Sequence, residues 1–186
     1  MMVKKKEPRS KDAILNATIE LLETTSFSTL TIEAVASHAG VGKTTIYRWW
    51  ENKAYLVLDA FWLIADSQLK FDENKSLHEG FCAQLQSLAN VLNSKVGRSI
   101  LAIIAENEEI ADAFYTSYLR PRRADSKRML QTRIEKGELQ PIPNTDIILD
   151  MLYGPIYFQI LIYKKVPDAD YINELVTQVM KTIMTP

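Results

Sequence analysis

The chain has a single cysteine, Cys82, among 186 residues. One thiol forms no internal disulfide, which excludes a disulfide scaffold and fits the reducing cytoplasm. Histidine is nearly as scarce, with only His38 and His78. No nucleophile, base and acid stand together in a catalytic motif, so an enzyme is not expected. His78 and Cys82 lie four apart, a metal-ligand spacing on a helix, but no third or fourth ligand accompanies them, so neither a metal nor another cofactor is expected. Long hydrophobic runs are also missing. The most apolar stretch, 147–163, holds Asp150 and a Gly154-Pro155 break and falls short of a membrane span. No apolar run follows Lys4-Lys5-Lys6, so no signal peptide is expected. Charge of one sign is lacking too: 22 Lys and Arg face 23 Asp and Glu. Whole-chain charge therefore says nothing for nucleic acid, and only its distribution is informative. Through Lys53, eight basic residues outnumber six acidic ones, and the balance reverses afterwards. A mildly basic head on an acidic body follows.

Helical periodicity is what the chain does have, and 47% apolar residues allow a real core. Residues 1–9 read as a frayed charged end, and Ser10 as the cap of a helix to Thr25 with Ile14, Ala17 and Leu21 on one stripe. Thr31 caps a second helix that Gly40 ends. A third runs over 43–50 and a fourth from Asn52 to Lys70. Further helices are expected at 76–93, 98–107, 109–119, 121–136, 145–165 with a kink at Pro155, and 168–184. Pro121 suits a first turn, Gly137 a helix end and Asn144 a cap. The fold class is all-α.

The segment "GVGKTTIYRWW", Gly40 to Trp50, admits two chemistries. Gly42-Lys43-Thr44 resembles the end of a phosphate-cradling P-loop. That loop needs a glycine at position 37, which is Ser37, and a preceding strand, whereas 31–39 reads as helix. The other chemistry fits throughout. Two short helices flank the turn Ala39-Gly40-Val41, and Ala36 is small enough for close approach. Val41, Ile46 and Trp50 face inward, leaving Lys43, Thr44, Thr45, Tyr47, Arg48 and Trp49 outside. This is a helix-turn-helix, whose second helix enters the major groove N-terminus first. Arg is the usual reader of guanine, and Lys53 is placed for a backbone phosphate.

Ile14 to Val57 closely resembles the DNA-binding head of TetR-type (tetracycline-repressor-like) regulators. The likeness lies in Ile-Leu-x-Ala at 14–17, Thr-Ile-x-x-Val-Ala at 31–36, the Ala-Gly-Val turn, Tyr47 with an aromatic three residues on, and Asn52-Lys53. Three departures stand out: Ser26 for a frequent Gly, Gly42 for a frequent capping Ser, and Trp50 for the usual Phe. The resemblance implies a three-helix head, about 1–54, and a helical effector-binding and dimerisation body, about 55–186. It implies a homodimer on a palindromic operator, a repressor released by a small molecule. Thr31, Tyr47 and Lys53 fall on phosphate-contact positions, and Gly42, Lys43, Thr44, Thr45, Arg48 and Trp49 on sequence-reading ones. A helical interaction protein without effector response is the alternative.

Two further sets of residues carry expectations for the body. Ile148, Leu152, Ile156, Ile172, Leu175, Val179 and Ile183 form apolar stripes suited to a four-helix seam between two chains. Phe61, Trp62, Leu88, Ile103, Phe114, Tyr118, Tyr157 and Phe158, with the Gln84 amide, are candidates for a pocket taking a small, mostly apolar effector. The basic run Arg120, Arg122, Arg123, Lys127 and Arg128 reads as a solvated face.

Overall fold

A computed structural model describes residues 7–68 and 75–184. Ten α-helices occur among them: α1 (Glu7–Thr24), α2 (Ile32–His38), α3 (Lys43–Tyr47), α4 (Lys53–Gln68), α5 (Leu77–Asn93), α6 (Lys95–Glu106), α7 (Glu108–Phe114), α8 (Arg120–Glu135), α9 (Thr145–Leu161) and α10 (Ala169–Lys181). No strand is formed among the described residues, and one isolated antiparallel bridge pairs Leu139 with Met184. No described helix is long and apolar enough to cross a membrane.

Local chemistry explains most boundaries. Thr31 caps α2, its hydroxyl accepting from the Ala34 N–H at 3.1 Å. Asn52 accepts from Ala54 at the start of α4. Ser76 and Glu79 form a reciprocal capping box at α5, each side chain accepting from the other's backbone N–H. Asn144 and Asp168 cap α9 and α10. Gly40 and Gly137, at φ 65° and 75°, end α2 and α8 in the left-handed region that a Cβ disfavours.

Several boundaries depart from the periodicity. Helix α1 begins at Glu7 rather than after Ser10, because Pro8 is compatible with a first turn. Helix α3 stops at Tyr47, after which Trp49 and Trp50 both donate to the Ile46 carbonyl. The expected end of α4 at Lys70 lies outside the described residues. Helix α6 starts at Lys95, three residues early, because Ser94 caps it through the Gly97 N–H. Helix α9 ends at Leu161, since Lys164 turns left-handed at φ 56° ahead of Pro167. No loop separates α7 from α8: a π turn, Tyr115–Leu119, joins them. Pro121 has no N–H to donate, and a widened turn just before it absorbs the missing bond.

The chain divides into two compact units, residues 1–66 with 94–112 and residues 67–93 with 113–186. In the first, α1 packs on α2 and α6, and α2 on α3, around the fully buried Ile14, Leu22, Val35, Ile46, Leu56 and Phe61. In the second, α5 packs on α9 and α10, and α8 on α9, around Phe81, Leu85, Leu149, Leu152, Ile156 and Val176. Burying one such side chain contributes about 1.5–3 kcal/mol.

Candidate nucleic-acid interface

The helix-turn-helix is built from α2, the turn 39–42 and α3. Gly40 supplies the positive φ, and the Val41 N–H closes the turn on the Ala36 carbonyl at 2.9 Å. The strand required before a phosphate-binding loop is absent here, because Ile32–His38 is helix. Helix α3 buries Ile46 completely, and Trp50 just beyond it is 4% exposed. That anchoring turns the opposite face outward: Lys43, Thr44, Tyr47, Arg48 and Trp49 are exposed, with Tyr47 at 55% and Trp49 at 40%. Gly42 and Thr31 are exposed as well, and Thr45 is half-buried.

The orientation of α3 is held by polar contacts as well as by its core face. The Trp50 indole N–H donates to Asp59 of α4 at 2.9 Å, and Lys11 of α1 pairs with the same carboxylate at 3.2 Å. The Lys11 ammonium also lies 5.6 Å from the Trp50 ring. A phenylalanine at position 50 would have no N–H for Asp59, so this departure from the family pattern adds a tie. His38 and Glu20 link α2 to α1 at 2.7 Å.

The cations differ in availability. Arg48 makes no ion pair with a described residue and projects from the end of α3. Lys43 pairs with Glu33 at 3.0 Å; their hydrogen bond holds the ammonium above and the carboxylate below their ordinary ranges. Both side chains are exposed, so the pair is weak and a phosphate can compete for the lysine. Lys53 is not placed as its sequence position suggests. Its ammonium donates to the carbonyls of Phe27, Ser28 and Leu30 at 2.8, 3.3 and 3.1 Å and lies 4.5 Å from the Phe27 ring. Three donors meet three carbonyls of the α1–α2 connection, so Lys53 braces that loop. A phosphate contact from Lys53 would require its ammonium to leave those carbonyls.

In the second unit a cavity of about 300 Å³ opens between α5, the π turn with α8, and α9. Four of the expected pocket residues line it: Gln84, Leu88, Tyr118 and Tyr157. Phe114 does not line it but stacks on Tyr118 at 4.9 Å. Phe61, Trp62 and Ile103 belong to the first unit, where Phe61 and Ile103 are core, and Phe158 is 49% exposed. None of these four lines this cavity: apolar character does not distinguish core or surface from cavity wall. The remaining wall is Leu119, Arg122, Arg123, Ser126, Asp150, Tyr153 and Gly154. The spacing 150, 153, 157 on one helix face and 119, 122, 126 on another was the available signal for them.

The basic run on α8 is largely neutralised rather than free. Arg123 bridges Asp146 and Asp150, both at 2.7 Å, Lys127 reaches Asp146 at 2.7 Å, and Arg128 pairs with Asp125. Hydrogen bonds from Lys127 and Arg123 hold the Asp146 carboxyl below its usual range. A lowered carboxyl stabilises the fold above its unfolded pKa, about 4, and that contribution is lost as pH falls through the lower folded value. Asp146→Asn is therefore expected to lower the Tm at neutral pH by a small amount, since the site is exposed. The gap from wild type should narrow as pH falls below about 4 and vanish below the lower folded value, and a gap that does not narrow in thermal melts would rule out this linkage. His78 accepts or donates to Thr177 at 3.0 Å, with Cys82 3.7 Å from its other nitrogen. Burial pushes that thiol up, which makes it an unreactive one.

The residues expected at a dimer seam are largely covered within the single chain. Ile148, Leu152, Ile156, Ile172, Val179 and Ile183 are at most 8% exposed within the single chain, and Leu175 is half-buried. They form the face by which α9 and α10 pack on their own unit. The apolar face left outside on α9 is instead Ile147, Met151, Phe158, Leu161 and Ile162, each 38–61% exposed. Their spacing places them along one side of the helix.

Comparison with known proteins agrees with this architecture over nearly the whole chain. Residues 14–60 match the model for bacterial regulatory proteins of the tetR family, and residues 72–179 match that for the tetracyclin repressor-like C-terminal domain. The HTH-type transcriptional regulator YdeS of Bacillus subtilis is 32% identical, over 98% of this chain and 96% of its own. The HTH-type regulator Rv1556 of Mycobacterium tuberculosis is 28% identical, over 96% of this chain and 89% of its own. The crystal structure of the TetR family regulator SCO0332 superposes with a TM-score of 0.78 at 28% identity, covering 96% of this chain and all of that one. These relatives are all described as regulators of transcription. With the helix-turn-helix formed and its outer face exposed, the chain belongs to the TetR family of DNA-binding transcriptional regulators.

Proposed function

We propose that this protein is a cytoplasmic repressor that binds a palindromic operator as a homodimer and leaves it when a small molecule enters the second unit. In this reading residues 1–54 are the DNA-reading head and 55–186 the effector and dimerisation body. The observation that carries the DNA part is the facing of α3. Ile46 and Trp50 are buried, so Lys43, Thr44, Tyr47, Arg48 and Trp49 stand together on the outside. Tyr47 and Thr31 offer hydroxyls to phosphates, and Gly42 and Thr45 lie beside the groove-facing row. Arg48, free of ion pairs with described residues, is the candidate base reader. A bidentate contact to guanine is worth about 1–3 kcal/mol of discrimination.

Selection of DNA from a genomic pool tests this directly. A palindromic motif is expected, because two symmetric heads match two half-sites. Arg48→Ala should relax one base pair in each half-site and leave the others alone. An unchanged motif would remove Arg48 from direct readout.

The exposed α9 row supports the dimer. A row of five large apolar side chains on one helix face is more than a monomer's surface ordinarily keeps uncovered. The cavity supports the effector, since mostly apolar concavities with a few polar groups are the usual form of small-molecule sites. Release of DNA by a ligand implies that DNA weakens the ligand by the same factor.

A further inference from the structure

The cavity in the second unit has a more specific chemistry than an apolar one. Three of its walls are tyrosine rings, Tyr118 from the π turn and Tyr153 and Tyr157 from α9. Tyr118 is itself held in place, with Phe114 stacked at 4.9 Å and the Arg122 guanidinium 3.9 Å from its ring centroid. Those contacts occupy Tyr118 and make it a rigid wall, so the aromatic faces open to an occupant are those of Tyr153 and Tyr157.

The polar groups between the rings are mostly donors. Tyr153 gives its hydroxyl proton to the Gln84 carbonyl oxygen, which orients the amide and leaves its NH₂ group for another partner. The Tyr157 hydroxyl makes no hydrogen bond to a described residue. Burial pushes both phenols up, Tyr153 to about 12, so each keeps its proton at any ordinary pH. A carboxylate or phosphate gains less here than the two lining arginines suggest, because Arg122 is held by the Tyr118 carbonyl at 3.2 Å and by the Tyr118 ring. The Arg123 charge is already matched by Asp146 and Asp150, and Asp150 lines the same cavity.

Size narrows the class further. An apolar cavity of about 150 Å³ holds one benzene ring. At about 300 Å³ this one suits two.

We propose that the cavity binds a neutral, planar, two-ring aromatic compound bearing a carbonyl oxygen, the class of aryl lactones, ketones and quinones. The rings lie against the tyrosines, and the carbonyl accepts from Tyr157 and from the Gln84 amide. This ligand class rests on the reading of the cavity as the effector site.

The test uses the full-length protein and three probes, each titrated by calorimetry. They are 7-hydroxycoumarin kept neutral in mildly acidic buffer, naphthalene as the same frame without oxygen, and octanoate as a flexible anion. The coumarin should bind one per chain, naphthalene at least about tenfold more weakly, and octanoate without saturation. Tyr157→Phe should weaken the coumarin about three- to tenfold, the value of one hydrogen bond, and leave naphthalene unchanged. Gly154 lines the cavity, and a Cβ there meets nothing within 4 Å, so Gly154→Leu starts from open space and reduces the room left for a ligand. That variant should abolish both aromatic titrations, with melting and sedimentation showing an intact protein. Octanoate binding as tightly as the coumarin, no aromatic binding, or coumarin affinity untouched by both substitutions would each overturn the proposal. Operator titration separates the two readings. Coumarin bound in the cavity with operator affinity unchanged upholds the ligand class and overturns the effector role.

Discussion

Lys53→Ala is expected to lower the melting temperature of the protein and to weaken every DNA sequence alike, while leaving the salt dependence of binding nearly unchanged. The three carbonyls at Phe27, Ser28 and Leu30 lose a shared cation, and the Phe27 ring loses its ammonium neighbour. Hydrogen bonds to a charged group are worth about 1.5–3 kcal/mol. Water reaches part of this site, so about 1–2 kcal/mol is the reasonable share. Affinity falls because the connection 25–31 sets the entry of α2, and α2 carries α3 on its Val35 and Ala36 face. A lysine that neutralised a phosphate would act differently. Its removal would reduce the slope of log affinity against log salt by about one and barely change the melt. Measuring both quantities on one variant decides between the roles, and a flattened slope with an unchanged Tm would restore the phosphate contact.

Phe158→Glu and Ile156→Glu, two residues apart on α9, are expected to fail in opposite ways. Phe158 is 49% exposed and stands on the outer row with Ile147, Met151, Leu161 and Ile162. A carboxylate there costs the single chain little but sits in the proposed interface, where an unpaired charge is strongly destabilising. The variant should fold with wild-type helicity, sediment as a monomer and lose operator binding. Ile156 is fully buried in its own unit. A carboxylate there has no partner and removes a core side chain, a loss of more than about 4 kcal/mol, enough to unfold many domains. Circular dichroism and sedimentation together read both outcomes. If Phe158→Glu remained dimeric while Ile156→Glu gave folded monomers, the seam would lie on the other face after all.

The contrast between those two residues marks the limit of what periodicity can say. Helix α9 is apolar nearly all round: Ile148, Leu149, Leu152, Ile156 and Ile160 face inward, and Ile147, Met151, Phe158 and Leu161 face out. Its polar row, Asp146, Asp150, Tyr153 and Tyr157, turns to α8 and the cavity, so it does not mark which apolar side lies outside. Ile148, Leu152 and Ile156, expected at a seam between chains, therefore lie on the side that packs within the single chain. In the head the reverse holds. Lys43, Thr44 and Arg48 mark the outer face of α3 against Ile46 and Trp50, and the buried and exposed sides follow from the residue types.

By itself, then, the amino-acid sequence determined the all-α class, the helix-turn-helix and the helix ends that carry a capping side chain or a left-handed glycine. Those depend on interactions within a few residues: Thr31 on Ala34, Asn52 on Ala54, the left-handed glycines at 40 and 137. It also carried the family motif, which is local in the same sense. Tertiary structure alone decided three things. Lys53 meets carbonyls more than twenty residues away rather than solvent. Tyr153 meets Gln84 across 69 positions, and with Tyr118 and Tyr157 closes a cavity that no single helix contains. The outward face of α9 is whichever side its neighbours α5, α8 and α10 leave uncovered. Each is a matter of which distant element arrives at a given side chain, and a helical repeat of 3.6 residues carries no information about arrivals.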